Sequence, residues 1–421
     1  MKTVSGIDFG TANSTVSYIG QDRQSHLVDV ENNEKIIPTT LFFYKDSNKI
    51  LYGNAAIETF LKREVGRFIG SIKSILGTSL MDGKTRINNR NVEIRTLIAC
   101  FIRHLKAKLD NQTETNVESV VIGRPVRFND YDEKMDAQAQ ILLRDIAYDA
   151  GFKYIEFQYE PVAAAFSHER HIQGEKLALV IDIGGGTSDF TIIKIGGDLK
   201  DKMDRTKDIL SNTGVKIGGN AFDKDLSFNA FMSELGKNTT TDGMRNLPMP
   251  SYIFAELSDW NGINFIYTQK NIHEINEIYR HANDKEKVGR LVELVNSERA
   301  HELLRIAEQA KIELTYSEKV SKVLTPVKDS PAIGIMRTEF DNFTASNIAR
   351  IQKSLSECLT QAGMNGSDID LVVLTGGSTS LISIRNLVHK TFPNAILSAE
   401  NKFSAVGEGL AYDAYQRFSQ Y

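Results

Sequence analysis

The sequence contains little cysteine and tryptophan and lacks long apolar runs. Its 421 residues include two cysteines, Cys100 and Cys358, which lie far apart and outside any paired motif. This usage fits a reducing cytosol, so we expect a cytoplasmic protein without a disulfide framework. No apolar stretch approaches the roughly 20 residues that span a bilayer, and the N-terminus has no signal-peptide pattern. His168 and His171 form an H-x-x-H pair with no third ligand nearby, which indicates a solvated helical face rather than a metal site.

An excess of basic residues is also missing. Lysine and arginine number 50 against 54 aspartates and glutamates, which gives a net charge of -4. Such a chain has no positive field of the kind that nucleic-acid binding needs, so we expect neither nucleic acid nor a membrane as partner. The composition is 41% hydrophobic and 25% charged, as in ordinary globular proteins, and the length suffices for two or more cores.

Short apolar runs alternate with helical patterns along the chain, which predicts an α/β architecture. The predicted strands are residues 4–9, 15–19, 119–122, 177–183, 189–195 and 370–374. Apolar residues at helical spacing predict helices over residues 94–109 and 135–146 and one long helix over about 285–316.

One pattern occurs twice in the chain. Residues 4–14 read VSGIDFGTANS and residues 180–190 read VIDIGGGTSDF, so each apolar run ends in an aspartate that precedes glycine and small hydroxyl residues. Glycines at the turn of a hairpin expose backbone N–H groups, which can bind phosphate oxygens. Asp8 and Asp182 would repel phosphate unless a divalent cation lay between them. Two such hairpins therefore predict a clamp for a polyphosphate and its Mg²⁺, and they indicate a duplication at domain scale.

The paired hairpins resemble those of the actin-like ATPase superfamily. The chain as a whole resembles the nucleotide-binding domain of the DnaK-type heat shock protein 70 family. Further matches follow in the family's order, at residues 72–77 (IKSILG), 121–130 (VIGRPVRFND), 159–165 (YEPVAAA), 218–223 (GGNAFD) and 374–379 (LTGGST). Taken alone, Lys73 reads as a solvated lysine and Glu160 as the start of a helix. The order of the motifs gives both residues a role.

The resemblance implies the α/β fold of the actin-like ATPases, which is ribonuclease H-like. Two duplicated lobes would each contain a mixed five-stranded sheet with flanking helices, and two smaller subdomains would be inserted. Lobe I is expected at 1–171 with an insertion at about 38–110, and lobe II at 172–400 with an insertion at about 220–340. Residues 401–421 would form a C-terminal helix that returns to lobe I.

The resemblance also implies the site residues. Lys73, Glu160, Asp189 and Thr187 would be catalytic, and Asp8 and Asp182 would hold Mg²⁺ through ordered waters. The residues expected to bind ATP or ADP lie in two phosphate loops, a glycine turn, one helix face and an adenosine loop: Gly10, Thr11, Ala12, Asn13, Gly184, Gly185, Gly186, Thr187, Gly218, Gly219, Glu308, Lys311, Thr315, Gly376, Gly377 and Ser378.

The sequence departs from the chaperones at several positions. Ile312 stands where they place an arginine against the adenine ring, and Glu133 where they place an arginine that relays a proline switch, here Pro125. The segment around Trp260 is expanded. Because the sequence stops one helix after the loop at 374–379, we expect a protein without the family's linker and peptide-binding domain. Together with residues 247–250 (LPMP), these departures resemble the YegD group of chaperone-like proteins.

The predicted function is Mg²⁺-dependent binding and slow hydrolysis of ATP by a chaperone-like protein without a peptide-binding domain. A protein partner or co-chaperone is unidentified. Three alternatives stay open. A filament-forming actin-like ATPase would need self-complementary surfaces, and a sugar or acid kinase would need a catalytic aspartate, for which residues 125–130 offer only Asp130. A nucleotide-gated binding module would show no turnover.

Overall fold

The structure of the protein is a computed structural model. It describes residues 3–88, 90–170, 172–200, 202, 204–242, 246–399 and 403–418, and for residues 264 and 265 the backbone alone. His171, one half of the histidine pair, lies outside these ranges, as do residues 401, 402 and 419–421 of the predicted C-terminal helix. No helix within the ranges has both the length and the apolar character that crossing a bilayer requires.

The chain forms two compact units. The first comprises Met1–Gly219, Arg350–Ser380 and Ile384–Tyr421, and the second comprises Asn220–Ala349 and Leu381–Ser383. The first unit contains both large β-sheets, whereas the second is mostly helical. The division into two lobes at residue 171 stays a prediction.

The strands in chain order are β1 (Val4–Phe9), β2 (Asn13–Ile19), β3 (Ser25–Leu27), β4 (Ile36–Pro38), β5 (Thr40–Tyr44), β6 (Ile50–Tyr52), β7 (Gly66–Gly70), β8 (Lys84–Ile87), β9 (Arg90–Glu93), β10 (Ser119–Arg124), β11 (Tyr154–Tyr159), β12 (Glu175–Ile183), β13 (Ser188–Gly196), β14 (Ile209–Val215), β15 (Lys319–Val323), β16 (Ala332–Met336), β17 (Leu371–Thr375) and β18 (Ile396–Ser398). The six strands predicted from sequence are all present, and their ends differ from the prediction by at most two residues.

The α-helices are α1 (Gly53–Leu61), α2 (Ile94–Thr113), α3 (Glu133–Asp149), α4 (Glu160–Glu169), α5 (Gly219–Leu226), α6 (Ser251–Leu257), α7 (Ile263–Ile266), α8 (Gln269–His281), α9 (Lys285–Asn296), α10 (Ala300–Tyr316), α11 (Arg337–Ala362), α12 (Ile382–Thr391) and α13 (Ala405–Phe418). Short 3₁₀ or π turns lie at Ile72–Ile75, Ser227–Phe231, Met232–Leu235, Gly366–Asp368 and Gly377–Ser380.

The two large sheets share one arrangement around a hairpin. In the first sheet the strand order is β11-β10-β1-β2-β3, and β4 joins it beside β2. In the second sheet the order is β14-β13-β12-β17-β18. β1 pairs antiparallel with β2 and parallel with β10, and β12 pairs antiparallel with β13 and parallel with β17. The repeated sequence pattern therefore corresponds to a repeated hairpin whose first strand also borders a parallel neighbour.

The single helix predicted over 285–316 is wrong, because two helices, α9 and α10, occupy this range. Glu298 has a φ of 54°, in the left-handed region. Its N–H donates to the carbonyl of Val295, and the N–H of Arg299 donates to the carbonyl of Leu294. These two bonds are those of a Schellman motif, which ends α9 before α10 begins. The residue in the left-handed conformation is a glutamate, so the glycine that normally signals such an end is absent.

Helices α4 and α13 cross in close contact in the first unit. The crossing point is formed by small residues: a Cβ added to Gly409 would lie 1.7 Å from the carbonyl oxygen of Ala163. Ala163, Ala164 and Ala165 of α4 are fully buried there. No side chain fits at residue 409 unless the helices move apart. The close approach of the two helices therefore requires glycine at this position.

We expect Gly409→Ala to destabilise the fold by at least about 1–3 kcal/mol, the usual cost of overpacking a core. Thermal unfolding measures the change. Gly289→Ala is the control, because it also places an alanine in a helix but its Cβ meets only Tyr279, at 3.5 Å. Glycine is about 1 kcal/mol less favourable than alanine in a helix interior, so the control substitution should leave the stability unchanged or raise it. Equal effects of the two substitutions would contradict the crossing described here.

Candidate functional site

Each repeated hairpin ends in a short turn that carries predicted phosphate-binding residues. In the first hairpin Asp8 pairs with Thr15, and the turn precedes Asn13, where β2 begins. The carbonyl of Gly10 in this turn accepts a 2.8 Å hydrogen bond from the hydroxyl of Thr39. In the second hairpin Asp182 pairs with Asp189, and the N–H of Gly184 closes the turn on the carbonyl of Thr187 at 3.1 Å.

The two turns lie against each other. A Cβ added to Gly185 would be 3.3 Å from the amide nitrogen of Ala12, and one added to Gly186 would be 2.6 Å from the hydroxyl oxygen of Thr11. The glycines of the second turn thus allow the first turn to approach its backbone closely. Segments about 175 residues apart in sequence, at 11–12 and 185–186, are therefore neighbours in the first unit.

Two further predicted segments meet the second turn at Gly184. The carbonyl of Gly184 accepts hydrogen bonds from the N–H of Gly219 at 2.9 Å and from the hydroxyl of Ser378 at 3.2 Å. A Cβ added to Gly218 would lie 2.7 Å from the same carbonyl oxygen. On its other side, Gly184 is open, because a Cβ there would meet no atom within 4 Å. The carbonyl of Gly184 is therefore bound by other protein groups, whereas the direction in which a side chain would extend is free of protein atoms.

The loop at residues 374–379, which is predicted to bind adenosine, reaches the end of β12. Gly376 has a φ of 78°, a conformation that glycine adopts readily, and a Cβ there would lie 2.8 Å from Oδ1 of Asp182. A Cβ on Gly377 would lie 3.2 Å from the ring of Phe403. The loop therefore approaches the carboxylate of Asp182 closely, and an exposed aromatic ring lies beside it.

A buried ion pair lies in the same unit. Nζ of Lys73 is 2.5 Å from Oε1 of Glu160, and the two residues are 6% and 7% exposed. Lys73 lies on the 3₁₀ turn Ile72–Ile75, so the helix that the motif implies at 72–77 is a single short turn. Glu160 is the first residue of α4, where Pro161 follows and a negative side chain suits the helix N-terminus. The solvated lysine that Lys73 alone would suggest is not found.

Several carboxylates interact electrostatically with the ammonium of Lys73. Burial alone would lower the pKa of Lys73, but the charges of Glu160, Asp8 and Asp189 together raise it. Burial and then the charge of Glu160 raise the pKa of Asp8 to about 7, and Lys73 opposes this. The same two causes raise the pKa of Asp189 to about 7 and that of Asp182 well above its ordinary value. One ammonium is thus surrounded by four carboxyl groups.

The two oxygens of Asp189 have different surroundings. Oδ1 accepts a 2.7 Å hydrogen bond from the backbone N–H of Val126. Oδ2 is buried and accepts no hydrogen bond of normal geometry within the described part of the chain, although the Thr187 hydroxyl is near enough to favour the charged carboxylate. One oxygen is therefore fixed by the protein, while the other is left to bind a small polar molecule such as water.

The carboxyl groups fit a hydrated magnesium ion. In the described residues no group of three or more His, Cys, Asp or Glu side chains can hold a metal on its own. Mg²⁺ usually keeps several waters and is bound through one or two carboxylates and substrate phosphates, so a complete protein cage is not required. A divalent cation near Asp8 and Asp182 would offset the excess of buried negative charge that raises their pKa values.

The remaining predicted residues lie on α10 in the second unit. Nζ of Lys311 is 2.8 Å from Oδ1 of Asp223, and the hydroxyl of Thr315 donates to the carbonyl of Lys311 at 3.3 Å. Burial raises the pKa of Asp223 to about 6, which Lys311 opposes and Glu308 reinforces. The indole N–H of Trp260 donates to Asp223 at 3.2 Å. The helix face predicted from the spacing of 308, 311 and 315 is thus built around a buried carboxylate.

The neighbouring Ile312 is 51% exposed. It presents an apolar side chain where the chaperones were expected to place an arginine. The position is therefore open to solvent in the second unit, so the isoleucine is not required there to fill a core.

Sequence reasoning missed three contacts at these residues. They are the Val126 N–H on Asp189, the carboxylate of Asp223 on Lys311, and the Phe403 ring beside Gly377. The aspartate in GGNAFD was visible as part of a motif but gave no sign of its partner. A backbone N–H and an isolated phenylalanine carry no sequence signal of this kind.

Comparison with known proteins identifies the family of this chain. The Hsp70 protein family matches residues 4–251 and 275–415, which is most of the chain. The fold is therefore that of the actin-like ATPases, as the sequence predicted. The chain belongs to the Hsp70 family.

Similar curated proteins are chaperones of this family. The chain is 26% identical to the chaperone protein DnaK of Thermosipho melanesiensis and 25% identical to that of Thermotoga neapolitana, over 98% of its own length and 59% of theirs. It is 25% identical to the chaperone protein HscA homolog of Rickettsia africae, over 97% of its length and 56% of the relative's. The chain thus spans less than two thirds of the relatives it matches.

The open side of Gly184 gives a test of phosphate binding. We expect Gly184→Ala to leave the melting temperature of the free protein unchanged, because its Cβ meets no protein atom within 4 Å. It should raise the Kd for ATP about tenfold or more, which corresponds to about 1.4 kcal/mol, because the methyl group occupies the face that would cradle phosphate. Calorimetric titration measures this, with Gly289→Ala as the control. Unchanged ATP affinity would exclude this face of the turn as the phosphate site.

Proposed function

We propose that this protein is a Mg²⁺-dependent, ATP-binding member of the Hsp70 family that hydrolyses ATP slowly. The observation that supports this most is the contact between the two hairpin turns, at residues 11–12 and 185–186. Two glycine turns that meet beside a buried lysine and carboxyl cluster offer backbone donors, hydroxyls and charge for a polyphosphate. Members of the Hsp70 family are ATPases, which agrees with this use.

Nucleotide binding would rest mainly on the two turns and on the loops that support them. Thr11 and Thr187 provide hydroxyl groups, and the glycines around Gly184 permit close approach to backbone N–H groups. We assign Mg²⁺ to Asp8 and Asp182. When bound, the ion neutralises phosphate charge and orients its oxygens. In the second unit, Glu308, Lys311 and Thr315 are proposed to contact the nucleoside.

The chemistry is assigned to Lys73, Glu160 and Asp189. A leaving phosphoryl group spreads negative charge over its oxygens, so catalysis depends on positioning and on fixed positive charge. The Lys73 ammonium, held by Glu160, would stabilise that developing charge. Asp189 has one oxygen fixed by Val126, and its second oxygen, with the Thr187 hydroxyl nearby, would orient the attacking water.

Finer aspects of the function are proposed from a few residues. A YegD-like relationship is supported by the segment 247–250 (LPMP) and by the exposed Ile312 in place of an arginine. A cytoplasmic location is supported by Cys100 and Cys358, which are both free thiols. A chaperone-like role, with an unidentified protein partner, rests on the similarity to DnaK and the HscA homolog.

The kinase alternative loses support from the surroundings of Asp130. One of its oxygens accepts a 2.8 Å hydrogen bond from the N–H of Lys216, and the other pairs with Arg350 at 3.3 Å. A catalytic aspartate in a kinase must accept a proton from the substrate hydroxyl. An aspartate whose two oxygens already bind the protein is poorly suited to that task.

ATP together with Mg²⁺ should stabilise the protein against thermal unfolding. Ligand at about 100 times its Kd adds about 2.7 kcal/mol to the free energy of unfolding of the state that binds it. Scanning calorimetry with ATP, ADP and no nucleotide, each with Mg²⁺ or with a chelator, measures the shift. A melting temperature indifferent to both nucleotides in the presence of Mg²⁺ would exclude the proposed clamp.

Lys73→Ala should lower kcat by about 10²–10³-fold, as loss of one preorganised donor does, and should raise the Kd for ATP much less. The reason is that Lys73 acts on charge that develops in the transition state, whereas the turns bind the ground state. Single-turnover hydrolysis and nucleotide titration separate the two effects. Lys353→Ala, at an exposed lysine that pairs with Glu357, is the control. Hydrolysis by Lys73→Ala within threefold of wild type would refute the assignment.

A further inference from the structure

The loop that follows β10, residues 125–132, contacts both Asp189 and the segment that carries Lys73. At one end, the N–H of Val126 donates to Oδ1 of Asp189 at 2.7 Å. At the other end, the side-chain amide of Asn129 donates to the carbonyl of Gly77 at 2.7 Å, two residues beyond the turn that carries Lys73. Displacement of this loop would therefore displace Asp189 and the Lys73 turn relative to each other.

The contact at Gly77 is close as well as polar. Gly77 has a φ of 72°, and a Cβ there would lie 2.4 Å from the carbonyl oxygen of Phe128. The backbone of the loop and the backbone after the Lys73 turn thus touch without an intervening side chain. Such a contact transmits a shift of one segment directly to the other, because close-packed interiors do not deform gradually.

One arginine holds the first half of the loop. Nε of Arg124 donates to the carbonyl of Pro125 at 3.0 Å, and Nη2 donates to that of Val126 at 3.3 Å. Nη2 is also 2.8 Å from Oδ2 of Asp136 on α3, and Nη1 donates to the side chain of Gln140. The planar guanidinium thus fixes two successive carbonyl groups to a helix, which a point charge such as lysine cannot do.

The carboxylate of Asp136 holds the second half. Its Oδ1 accepts hydrogen bonds from the N–H groups of Phe128 at 2.5 Å and of Asn129 at 3.3 Å. The side chains of Arg124 and Asp136 are 12% and 21% exposed, so the pair is only partly screened by solvent. The Arg124–Asp136 ion pair therefore holds the whole loop, because Arg124 binds its first half and Asp136 binds its second half.

We infer that Arg124 and Asp136 are positioning residues for ATP hydrolysis. They hold the loop so that Oδ2 of Asp189 and the ammonium of Lys73 keep the relative placement that the reaction needs. Neither residue touches the reacting atoms in this assignment; each acts through the loop. The inference rests on the proposed function, because it assigns the loop to the reaction proposed for Lys73 and Asp189.

The expected effect is on the rate rather than on binding. A misplacement of about 1 Å at reacting groups can reduce the rate about 10²-fold. Arg124→Gln and Asp136→Asn should each lower kcat about 10- to 100-fold while the Kd for ADP stays within about twofold. Arg124→Lys should recover only part of the loss, since it keeps the charge without the fork of donors. Arg95→Gln is the control and should leave kcat unchanged. It removes a more exposed ion pair between Arg95 of α2 and Asp149 of α3, the helix that also carries Asp136.

A double-mutant cycle separates positioning from general stability. When Asp189 is already alanine, Arg124→Gln should lower the remaining rate by less than threefold, because the group that it positions is gone. Melting temperatures of all variants are measured in parallel. Additive losses in the cycle, or a fall in kcat that follows the fraction of unfolded protein, would overturn the inference.

A measurement without nucleotide tests the loop directly. In the free wild-type protein the Val126 N–H is hydrogen-bonded to Asp189, so we expect slow amide hydrogen exchange by NMR. Arg124→Gln should accelerate exchange at Val126 at least tenfold, and Arg95→Gln should not. Unchanged exchange would overturn the positioning inference whatever the turnover. If Arg124→Gln accelerates exchange at Val126 but the wild-type protein hydrolyses no ATP, the proposed function is refuted. The role of Arg124 in holding the loop then stands.

Discussion

The first unit is organised around a buried ammonium that lies among more carboxyl groups than it can neutralise. Lys73 pairs with Glu160 at 2.5 Å, and the charges of Asp8 and Asp189 also act on it. Burying an ion pair is stabilising only with good geometry, and burying further carboxylates costs more. The raised pKa values of Asp8, Asp182 and Asp189 express this cost. A core built for stability alone would use apolar residues here, so the arrangement supports the proposal that a cation and a polyanion bind at this cluster.

The duplicated hairpins supply these charges unequally. The first strand of each hairpin has an aspartate as its last residue but one, and the residue opposite is Thr15 in the first hairpin and Asp189 in the second. Like charges directly opposite each other on a ladder are unfavourable, which contributes to the high pKa of Asp182. The two halves therefore share the backbone that would bind phosphate, while only the second has an additional carboxyl group that is suited to orienting water. The two hairpins thus share a backbone arrangement and differ in the residue opposite the first aspartate.

The sequence allowed prediction of what depends on local pattern. The hairpins, the helices from 94 and from 135, and the order of the motifs follow from periodicity and short motifs, and the structure contains them. The break between α9 and α10 was not predictable, because Glu298 adopts a conformation that glycine usually signals. The burial of Lys73 and the N–H contact of Val126 with Asp189 depend on segments that meet only in the folded chain. Candidate side chains could thus be named from sequence, whereas the groups that contact them in the folded chain could not.

Different surroundings distinguish two buried lysines that were predicted from sequence, Lys73 in the first unit and Lys311 in the second. Lys311 pairs with Asp223, a carboxylate that also accepts from Trp260, and Glu308 is the further negative group acting on that pair. Its charge is therefore largely matched, which suits a side chain held in place to shape a binding surface. Lys73 lies among an excess of carboxyl groups, whose balance changes when a cation and a phosphate enter. A charge in such surroundings responds to charge that develops nearby. This difference, rather than burial, supports the proposal that Lys73 takes part in the chemistry and Lys311 in nucleoside binding.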